Sequence, residues 1–494
     1  MTAHPTRATL VATLTVPPQA GAFPDLSGVE WLEVRADLIG DLDPAPLRAA
    51  FAGKLLYTLR SRAEGGGFEG SADRRRRRLL DAAAAGYDLI DLECERDLSS
   101  EVLNGIAPGR RILSWHGGAV GLQGLKSRFE KMAACEALLY KMVPAAAQAG
   151  EELAPLLLLH QMKRTDLAAF ASGVSGAWTR LVAPRLGAPV VYAAASEVPG
   201  APGQISLARL REDYGLPDLP PVAVLFGIVG NPVAHSLSPR LHNGAYRALG
   251  LPALYLPFHA ASFGDFWLEV VESGIPELFG MPLRGLSVTA PYKEAALAVA
   301  GAESPRAARI GAANTLVWNE GVWEAESTDP EGVVLPLLAR GIDPAGRTAA
   351  VVGAGGAGRS SAVGLAVAGA RVTLVNRSSE RGERAGEELG LPFLPLERFD
   401  PSAYELLVNA TSLGRDPEGP LPFPVDRLRP GSAVIDLVYD AARPGPTRLL
   451  TLAAAQGAVA IDGREVLLSQ ALGQFRMMTG REIPLELARR LLQS

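Results

Sequence analysis

At 494 residues the chain is too long for one hydrophobic core, so two or three domains are expected. It is 48% hydrophobic and 20% charged, with a mean hydropathy of +0.13, and no apolar run reaches the roughly 18 residues that span a bilayer. A net charge of −5 and a pI of about 5.8 argue against a broad nucleic-acid face.

The opening residues carry no signal-peptide core, so a cytoplasmic location is expected. Cys94 and Cys135 are far apart, which disfavours a disulfide framework or a structural zinc site. Strand-like runs then follow at regular spacing: 9–16, 29–37, 54–60, 87–93, 111–117, 137–143, 155–162 and 189–196. Strands alternating with helix-forming segments imply a parallel sheet, and eight of them in about 215 residues fit a compact (β/α)₈ TIM barrel. The basic run Arg74 to Arg78 opens one helical segment and is expected to be a solvated face.

Glu33, Arg35, Arg60, Glu93, His116, Lys141 and Met162 fall late in these runs, where barrel active sites form. Buried strand ends do not tolerate so many unpaired charges without a function. Lys141 lies in the apolar run ALLYKMV, and a desolvated amine can attack a ketone to form a Schiff base. His116, one strand earlier, suits proton abstraction beside that imine, and Arg35, Arg60 and Arg180 could clamp a carboxylate. His160 reads as a barrel residue satisfied by a neighbour.

In order, EVRAD, TLRSRAEGG, LSWHG, LLYKM, WTR and GAPGQ resemble the type I 3-dehydroquinate dehydratases over residues 10 to 210. The resemblance implies that Lys141 forms the imine, His116 acts as general acid/base and Glu64 assists it. It also implies that Glu33, Arg35, Arg60, Arg180 and Gln204 hold the substrate. Two departures touch that holding shell: Gly200 stands where the family has serine, and AWTR replaces the usual Ser-Arg.

A proline-rich joint, YGLPDLPPVAV (214–224), breaks both periodicities, and a second α/β unit follows to about 330. Next, RTAAVVGAGGAGRSSAVGLAVAGARVTLVNR (347–377) reads strand, glycine turn, helix, strand. Gly353, Gly355 and Gly358, with Ala354, Gly356 and Ala357 between them, form a Rossmann dinucleotide fingerprint. The following strand ends without an acidic residue for a ribose hydroxyl. Asn376, Arg377, Ser378 and Arg381 suit a 2′-phosphate instead, so NADP(H) is the expected cofactor.

GNPVAHSLSPRLHN, SVTAPYKEAAL, IGAANTL, ESTDPEG, VNATSLG, DLVYDAARPGPTRLL and LLSQALGQF resemble the shikimate dehydrogenases over about 222 to 490. The resemblance implies a catalytic pair, Lys293 and Asp329. It further implies substrate contacts from Ser236, Ser238, Thr289, Asn314, Tyr439 and Gln470, and cofactor contacts that include Thr411 and Gly463. Ser287 and Pro330 depart from the asparagine and glycine usual at those places.

Together the halves imply a bifunctional type I 3-dehydroquinate dehydratase/shikimate dehydrogenase. It would dehydrate 3-dehydroquinate and then reduce 3-dehydroshikimate with NADPH. The expected parts are a barrel at 1–216, a substrate-binding domain at 222–335 joined by helices at 464–494, and a Rossmann NADP-binding domain at 336–463. The partners expected are small-molecule substrates, with no nucleic acid, membrane or metal, and the sequence leaves the oligomeric state open. A quinate or dual-specificity dehydrogenase, or a non-catalytic pathway sensor, are the alternatives.

Overall fold

The computed structural model describes residues 6–18, 24–414, 416, 418–439 and 445–493, so positions 440–444 of DLVYDAARPGPTRLL lie outside the described residues. Contacts divide the chain into two compact units, Met1–Leu225 with Gly250–Leu283, and Phe226–Leu249 with Arg284–Ser494. Among the described residues no helix is long and apolar enough to cross a membrane.

The first unit contains eight parallel strands: β1 (Thr9–Leu14), β2 (Trp31–Arg35), β3 (Lys54–Thr58), β4 (Leu89–Glu93), β5 (Arg111–Gly117), β6 (Leu139–Pro144), β7 (Leu167–Ala169) and β8 (Val190–Ala194). They pair in the order β8-β1-β2-β3-β4-β5-β6-β7, a TIM-like barrel whose ladder ends are β7 and β8. β4 and β8 are buried at every position, because the packed barrel interior covers one face and helices the other.

The seventh strand is not where the apolar run 155–162 suggests. Leu153–Met162 is a helix, and Met162 ends that helix instead of a strand at the barrel mouth. The run is apolar on nearly every side, so it has no period by which a buried helix differs from a buried strand. The true β7 is three residues, Leu-Ala-Ala, too short to show a pattern. His160 lies on that helix, its ring 5.5 Å from Phe279.

The basic run also differs from expectation. It lies in the helix Ala72–Ala85, capped by the Ser71 hydroxyl, with Arg74 and Arg77 exposed as expected. Arg75 is instead buried, donating to both oxygens of Asp97 at 2.7 Å and to the Leu59 carbonyl. Arg78 reaches Asp41 and lies 5.6 Å over the Phe68 ring. The helix's inner face thus buries cations because carboxylates wait there for them.

The second unit begins within β9 (Val224–Gly230), while β10 (Ala253–His259) belongs with the barrel, where Phe258 packs 5.3 Å from Trp178. The second unit continues with β11 (Leu283–Val288), β12 (Ala302–Glu303), β13 (Thr315–Asn319) and β14 (Val322–Glu326). β13 pairs antiparallel with both β11 and β14, and β12 runs parallel to β14.

A parallel sheet follows, built from β15 (Thr348–Val352), β16 (Arg371–Asn376), β17 (Phe393–Pro395), β18 (Leu406–Asn409), β19 (Ala433–Asp436) and β20 (Val459–Ile461). Its order, β17-β16-β15-β18-β19-β20, is the doubly wound Rossmann arrangement, which reverses between β15 and β18. Val351, Leu374, Val408 and Ile435 face one core and Val352, Leu407 and Val434 the other, so the two-residue period feeds both sides.

Two helices of this unit cross closely. Pro330 sits in the first turn of Asp329–Leu338, where its missing N–H costs nothing. A Cβ placed on Gly364, in the helix Gly356–Val367, would lie 2.9 Å from the Pro330 Cα and Cβ.

Candidate functional site

The barrel strands bring all eight dehydratase residues implied by the sequence to one cavity of about 410 Å³. Glu33 and Arg35 come from β2, His116 from β5, Lys141 from β6, and Arg60, Glu64, Arg180 and Gln204 from the loops and helices beyond strands. Thr13 and Thr58 donate to Glu33 at 2.7 and 2.8 Å, fixing its carboxylate. Lys141 Nζ lies 3.8 Å from Glu33 Oε1, 3.9 Å from Asp91 Oδ2 and 4.1 Å above the Tyr192 ring. Burial lowers the Lys141 pKa, helped by Arg60 and Arg35 and opposed by Glu33 and Asp91.

His116, partly buried, pairs with the buried Glu64. Nδ1 is 3.3 Å from Glu64 Oε2, and the His116 backbone N–H donates to the same oxygen at 2.9 Å. Burial and the surrounding cations hold the imidazole pKa well below its ordinary value, while burial pushes the Glu64 carboxyl up to about 7. A neutral imidazole with Nδ1 engaged leaves Nε2 as its working nitrogen.

The three arginines expected to clamp a carboxylate stand differently. Arg60 is engaged by Asp91 and Ser114 at 2.8 Å, Glu64 at 3.2 Å and Glu93 at 3.4 Å. Arg35 grips both oxygens of Asp37 at 2.8 Å and donates to the Gly200 carbonyl at 2.6 Å. Arg180 Nε has no hydrogen-bond partner, and its guanidinium lies 4.4 Å over Phe170. Burial pushes the Arg180 pKa down to about 10, the mark of a cation short of an anion.

Gly200 is explained by its neighbours. Its N–H donates to Gln204 Oε1 at 2.8 Å, and Gln204 Nε2 donates to Thr13 at 3.0 Å. A Cβ there would lie 2.9 Å from Thr15 Cγ2 and 3.0 Å from Gln204 Oε1, so a side chain at 200 would have to displace these two.

In the second unit a cavity of about 440 Å³ is lined by Ser236, Ser238, Thr289, Lys293, Asn314, Asp329, Tyr439 and Gln470, together with Ala357 and Gly463. Lys293 and Asp329 are ion-paired. Asp329 opens its helix, and Asn314 Nδ2 donates to Asp329 Oδ1 at 2.7 Å and to Thr328 Oγ1 at 3.1 Å. Asn314 Oδ1 in turn accepts from the Thr328 N–H at 2.9 Å and from Thr315 Oγ1 at 2.7 Å.

Gln474 lies outside the residues that the sequence motifs single out. It accepts from Ser287 at 2.9 Å and donates to the Asn314 carbonyl at 3.0 Å. Ser287 is thus part of a buried chain of polar groups running to Asn314. LLSQALGQF carries Gln474 one helical turn beyond Gln470, and that spacing is the signal that could have found it.

The glycine turn fits a dinucleotide pyrophosphate. Gly353 has φ +115°, and a Cβ on Gly358 would lie 1.8 Å from the Gly353 carbonyl. Gly355 is the N-cap of the helix Gly356–Val367, whose N-terminus attracts phosphate. Asn376 accepts from the Ala354 N–H at 3.3 Å and donates to the Ser378 carbonyl at 2.9 Å. Ser378 caps the next helix, Arg377 is exposed, and Arg381 lines a small cavity with Ala354, Arg359 and Arg384. Thr411 donates to Asn409, which is fixed by Asp436. A Cβ on Gly463 would lie 2.8 to 3.0 Å from the carbonyls of Asp436, Leu437 and Val438, so the helix it opens docks against the loop after β19. A Cβ on Gly356 would meet the Lys293 stem at 3.1 Å, which puts the glycine turn beside the Lys293–Asp329 pair. Among the described residues no group of three or more His, Cys, Asp or Glu could hold a metal ion.

The family profile of type I 3-dehydroquinase matches residues 20–219, and that of the shikimate dehydrogenase substrate binding domain matches residues 228–316. The chain is 42% identical over 260 residues to the shikimate dehydrogenase (NADP(+)) of Acidiphilium cryptum, covering 52% of this chain and 91% of that protein. A crystal structure of shikimate dehydrogenase from Aquifex aeolicus superposes with TM-score 0.50 at 30% identity, over 55% of this chain and 98% of that one. The chain is also 30% identical over 494 residues to the chloroplastic bifunctional 3-dehydroquinate dehydratase/shikimate dehydrogenase of Arabidopsis thaliana, covering 93% of this chain and 79% of that protein. A relative that runs through both halves decides between two separate likenesses and one, and the chain belongs to the bifunctional 3-dehydroquinate dehydratase/shikimate dehydrogenase family.

Proposed function

We propose that the barrel removes water from 3-dehydroquinate through an imine on Lys141, and that the second unit reduces the resulting 3-dehydroshikimate to shikimate with NADPH. The observation that carries this is a pair of complete reacting sets. Lys141 with His116–Glu64 lines one cavity, and Lys293–Asp329 lies beside a Rossmann turn in the other. The functional division is a barrel at 1–216, a substrate-binding part at 222–335 with the helices at 464–494, and a cofactor part at 336–463.

In the first site the neutral Lys141 amine attacks the ketone carbon, and the oxygen departs as water to leave a protonated imine. His116 Nε2 takes a proton from the adjacent carbon, with Glu64 holding the ring through Nδ1. The electron pair moves into an enamine, then expels the β-hydroxyl, which leaves as water with a proton from His116. Hydrolysis of the imine frees product and restores the lysine. Arg180, with donors to spare, receives the substrate carboxylate, while Arg35, held by Asp37 and Gly200, shapes the loop over it.

In the second site NADPH, when bound, supplies the hydride. Lys293 holds the proton for the developing alkoxide, and Asp329, fixed by Asn314, keeps the ammonium aimed into the cavity. Ser236 and Ser238 hold the carboxylate, and Thr289, Asn314, Gln470 and Tyr439 the hydroxyls. Gly353, Gly355 and Gly358 cradle the pyrophosphate, and Arg377, Ser378 and Arg381 hold the 2′-phosphate. Neither site calls for a metal, and a cytoplasmic location suits both substrates.

Neither a quinate dehydrogenase nor a non-catalytic sensor is favoured. The similar proteins carry the name shikimate dehydrogenase, and all the reacting side chains are in place. A coupled assay from 3-dehydroquinate plus NADPH tests the whole. Borohydride should trap substrate on Lys141, and Lys293→Ala should abolish NADPH oxidation with the dehydratase intact. An adduct at another residue, or loss of both activities together, would overturn the assignment.

A further inference from the structure

We infer that Tyr192 is a catalytic residue of the dehydratase, its ring face stabilising the positive charge that the Lys141 nitrogen carries as an iminium. This rests on Lys141 being the imine-forming lysine.

The surroundings of Nζ single out the ring. The carboxylates of Glu33 and Asp91 lie at 3.8 and 3.9 Å, beyond the roughly 3.2 Å limit of a good hydrogen bond. The Tyr192 ring, at 4.1 Å, is well inside the range of about 6 Å for a cation over an aromatic face. Both side chains are buried, Lys141 6% and Tyr192 4% exposed, so bulk water screens little of that attraction. The same arrangement recurs beside it: Arg180 lies 4.4 Å over Phe170, whose ring is 6.2 Å from Tyr192.

The chemistry makes the contact selective for one state. The amine loses a proton and bonds to the ketone carbon, and the oxygen leaves with two protons as water. The nitrogen then keeps one positive charge but has one N–H in place of the ammonium's three. Cavity water, which holds the nitrogen through its N–H groups, loses most of its grip at that moment, while Glu33 and Asp91 at 3.8 and 3.9 Å still attract the charge. A ring face needs no N–H either, so its attraction acts on the iminium and favours it over the neutral amine that attacks the ketone.

The Tyr192 hydroxyl makes no hydrogen bond to another described residue, so Tyr192→Phe removes no bond within the protein and leaves the face in place. Full-length wild type, Tyr192→Phe, Tyr192→Leu and a variant with pentafluorophenylalanine at 192 would be mixed with saturating 3-dehydroquinate. Each would be quenched with borohydride, and the adduct on Lys141 quantified by peptide mass. Pentafluorophenylalanine keeps the ring's shape and reverses the charge of its face, so it decides the matter even if the leucine variant folds poorly. NADPH oxidation with 3-dehydroshikimate on the same polypeptide reports intact folding. The phenylalanine variant should trap adduct within about threefold of wild type, and the leucine and fluorinated variants about 10- to 30-fold less, with kcat falling in step. Wild-type trapping in the fluorinated variant, or an equal loss in the phenylalanine variant, would overturn the role of the ring face. Absence of adduct in wild type would instead overturn the Lys141 assignment.

Discussion

Asn314→Asp is nearly isosteric, yet it replaces the Nδ2 donor that meets Asp329 Oδ1 at 2.7 Å with an oxygen. The bonds that Asn314 Oδ1 accepts from the Thr328 N–H and the Thr315 hydroxyl survive, so the fold around the site should hold. With both carboxyls ionised, two charges 2.7 Å apart repel by roughly 6 kcal/mol at an effective dielectric of about 20. That is worth roughly four pKa units before the Lys293 ammonium offsets part of it. One proton is therefore shared by the pair into the neutral range, as in other close carboxylate dyads. While it is present, the new carboxyl at position 314 donates to Asp329 as the asparagine did. When it leaves, Asp329 is pushed aside and Lys293 loses its aim. Steady-state NADPH oxidation with 3-dehydroshikimate, from about pH 5 to 9, should show near-normal activity at low pH. It should then fall roughly 10- to 100-fold as pH rises through the shared pKa, with the dehydratase of the same chain as the unmoved control. A variant profile parallel to wild type would refute the Asn314–Asp329 contact as the holder of the catalytic pair.

Gly358→Ala places a Cβ 1.8 Å from the Gly353 carbonyl, so NADPH affinity should drop by at least about 100-fold in a fluorescence titration, or the second unit should melt early by calorimetry. Arg381→Ala should raise the KM for NADPH by about 10-fold or more while leaving that for NADH nearly unchanged, because only the former carries the 2′-phosphate. Glu152 is buried with one oxygen unpartnered, and burial pushes its pKa up to about 7. Its folded pKa exceeds the unfolded value, so the native state holds the extra proton and stability falls as pH rises from about 4.5 to 7. Glu152→Gln should flatten that part of the denaturation-versus-pH curve, by roughly 3 kcal/mol at most above pH 7.

The barrel was legible because seven of its strands lie in apolar runs, and charged or ionisable residues late in five of them, β2 to β6, also marked the mouth. β7 escaped because Leu-Ala-Ala is too short to carry a period, while the buried helix Leu153–Met162 imitated a strand. The residues that line the two cavities were legible from motifs, since each motif keeps its residues adjacent in sequence. Their supports were not. Thr13 and Tyr192 reach the dehydratase cavity, and Asp91 reaches Lys141, only through the register of β1, β8 and β4, and Gln474 reaches Asn314 across 160 residues of chain. Nor does composition distinguish Arg60, engaged by three carboxylates, from Arg180, which lacks one. That difference exists only once Asp91, Glu64 and Glu93 converge.

The crossing of Pro330 and Gly364 leaves position 364 no freedom of its own. The residue after Asp329 can lie this close to the facing helix because the glycine there has no side chain to displace. Gly364→Ala should therefore damage reduction, and pairing it with Pro330→Gly should restore little of what was lost, because the Pro330 Cα at 2.9 Å and carbonyl at 3.1 Å are backbone that a glycine keeps. Grafting the glycine at 330 by itself would do the reverse, opening a gap at the crossing beside Asp329. Whoever reshapes this dehydrogenase by borrowing motifs from its relatives will have to keep the glycine at 364, whichever residue stands at 330.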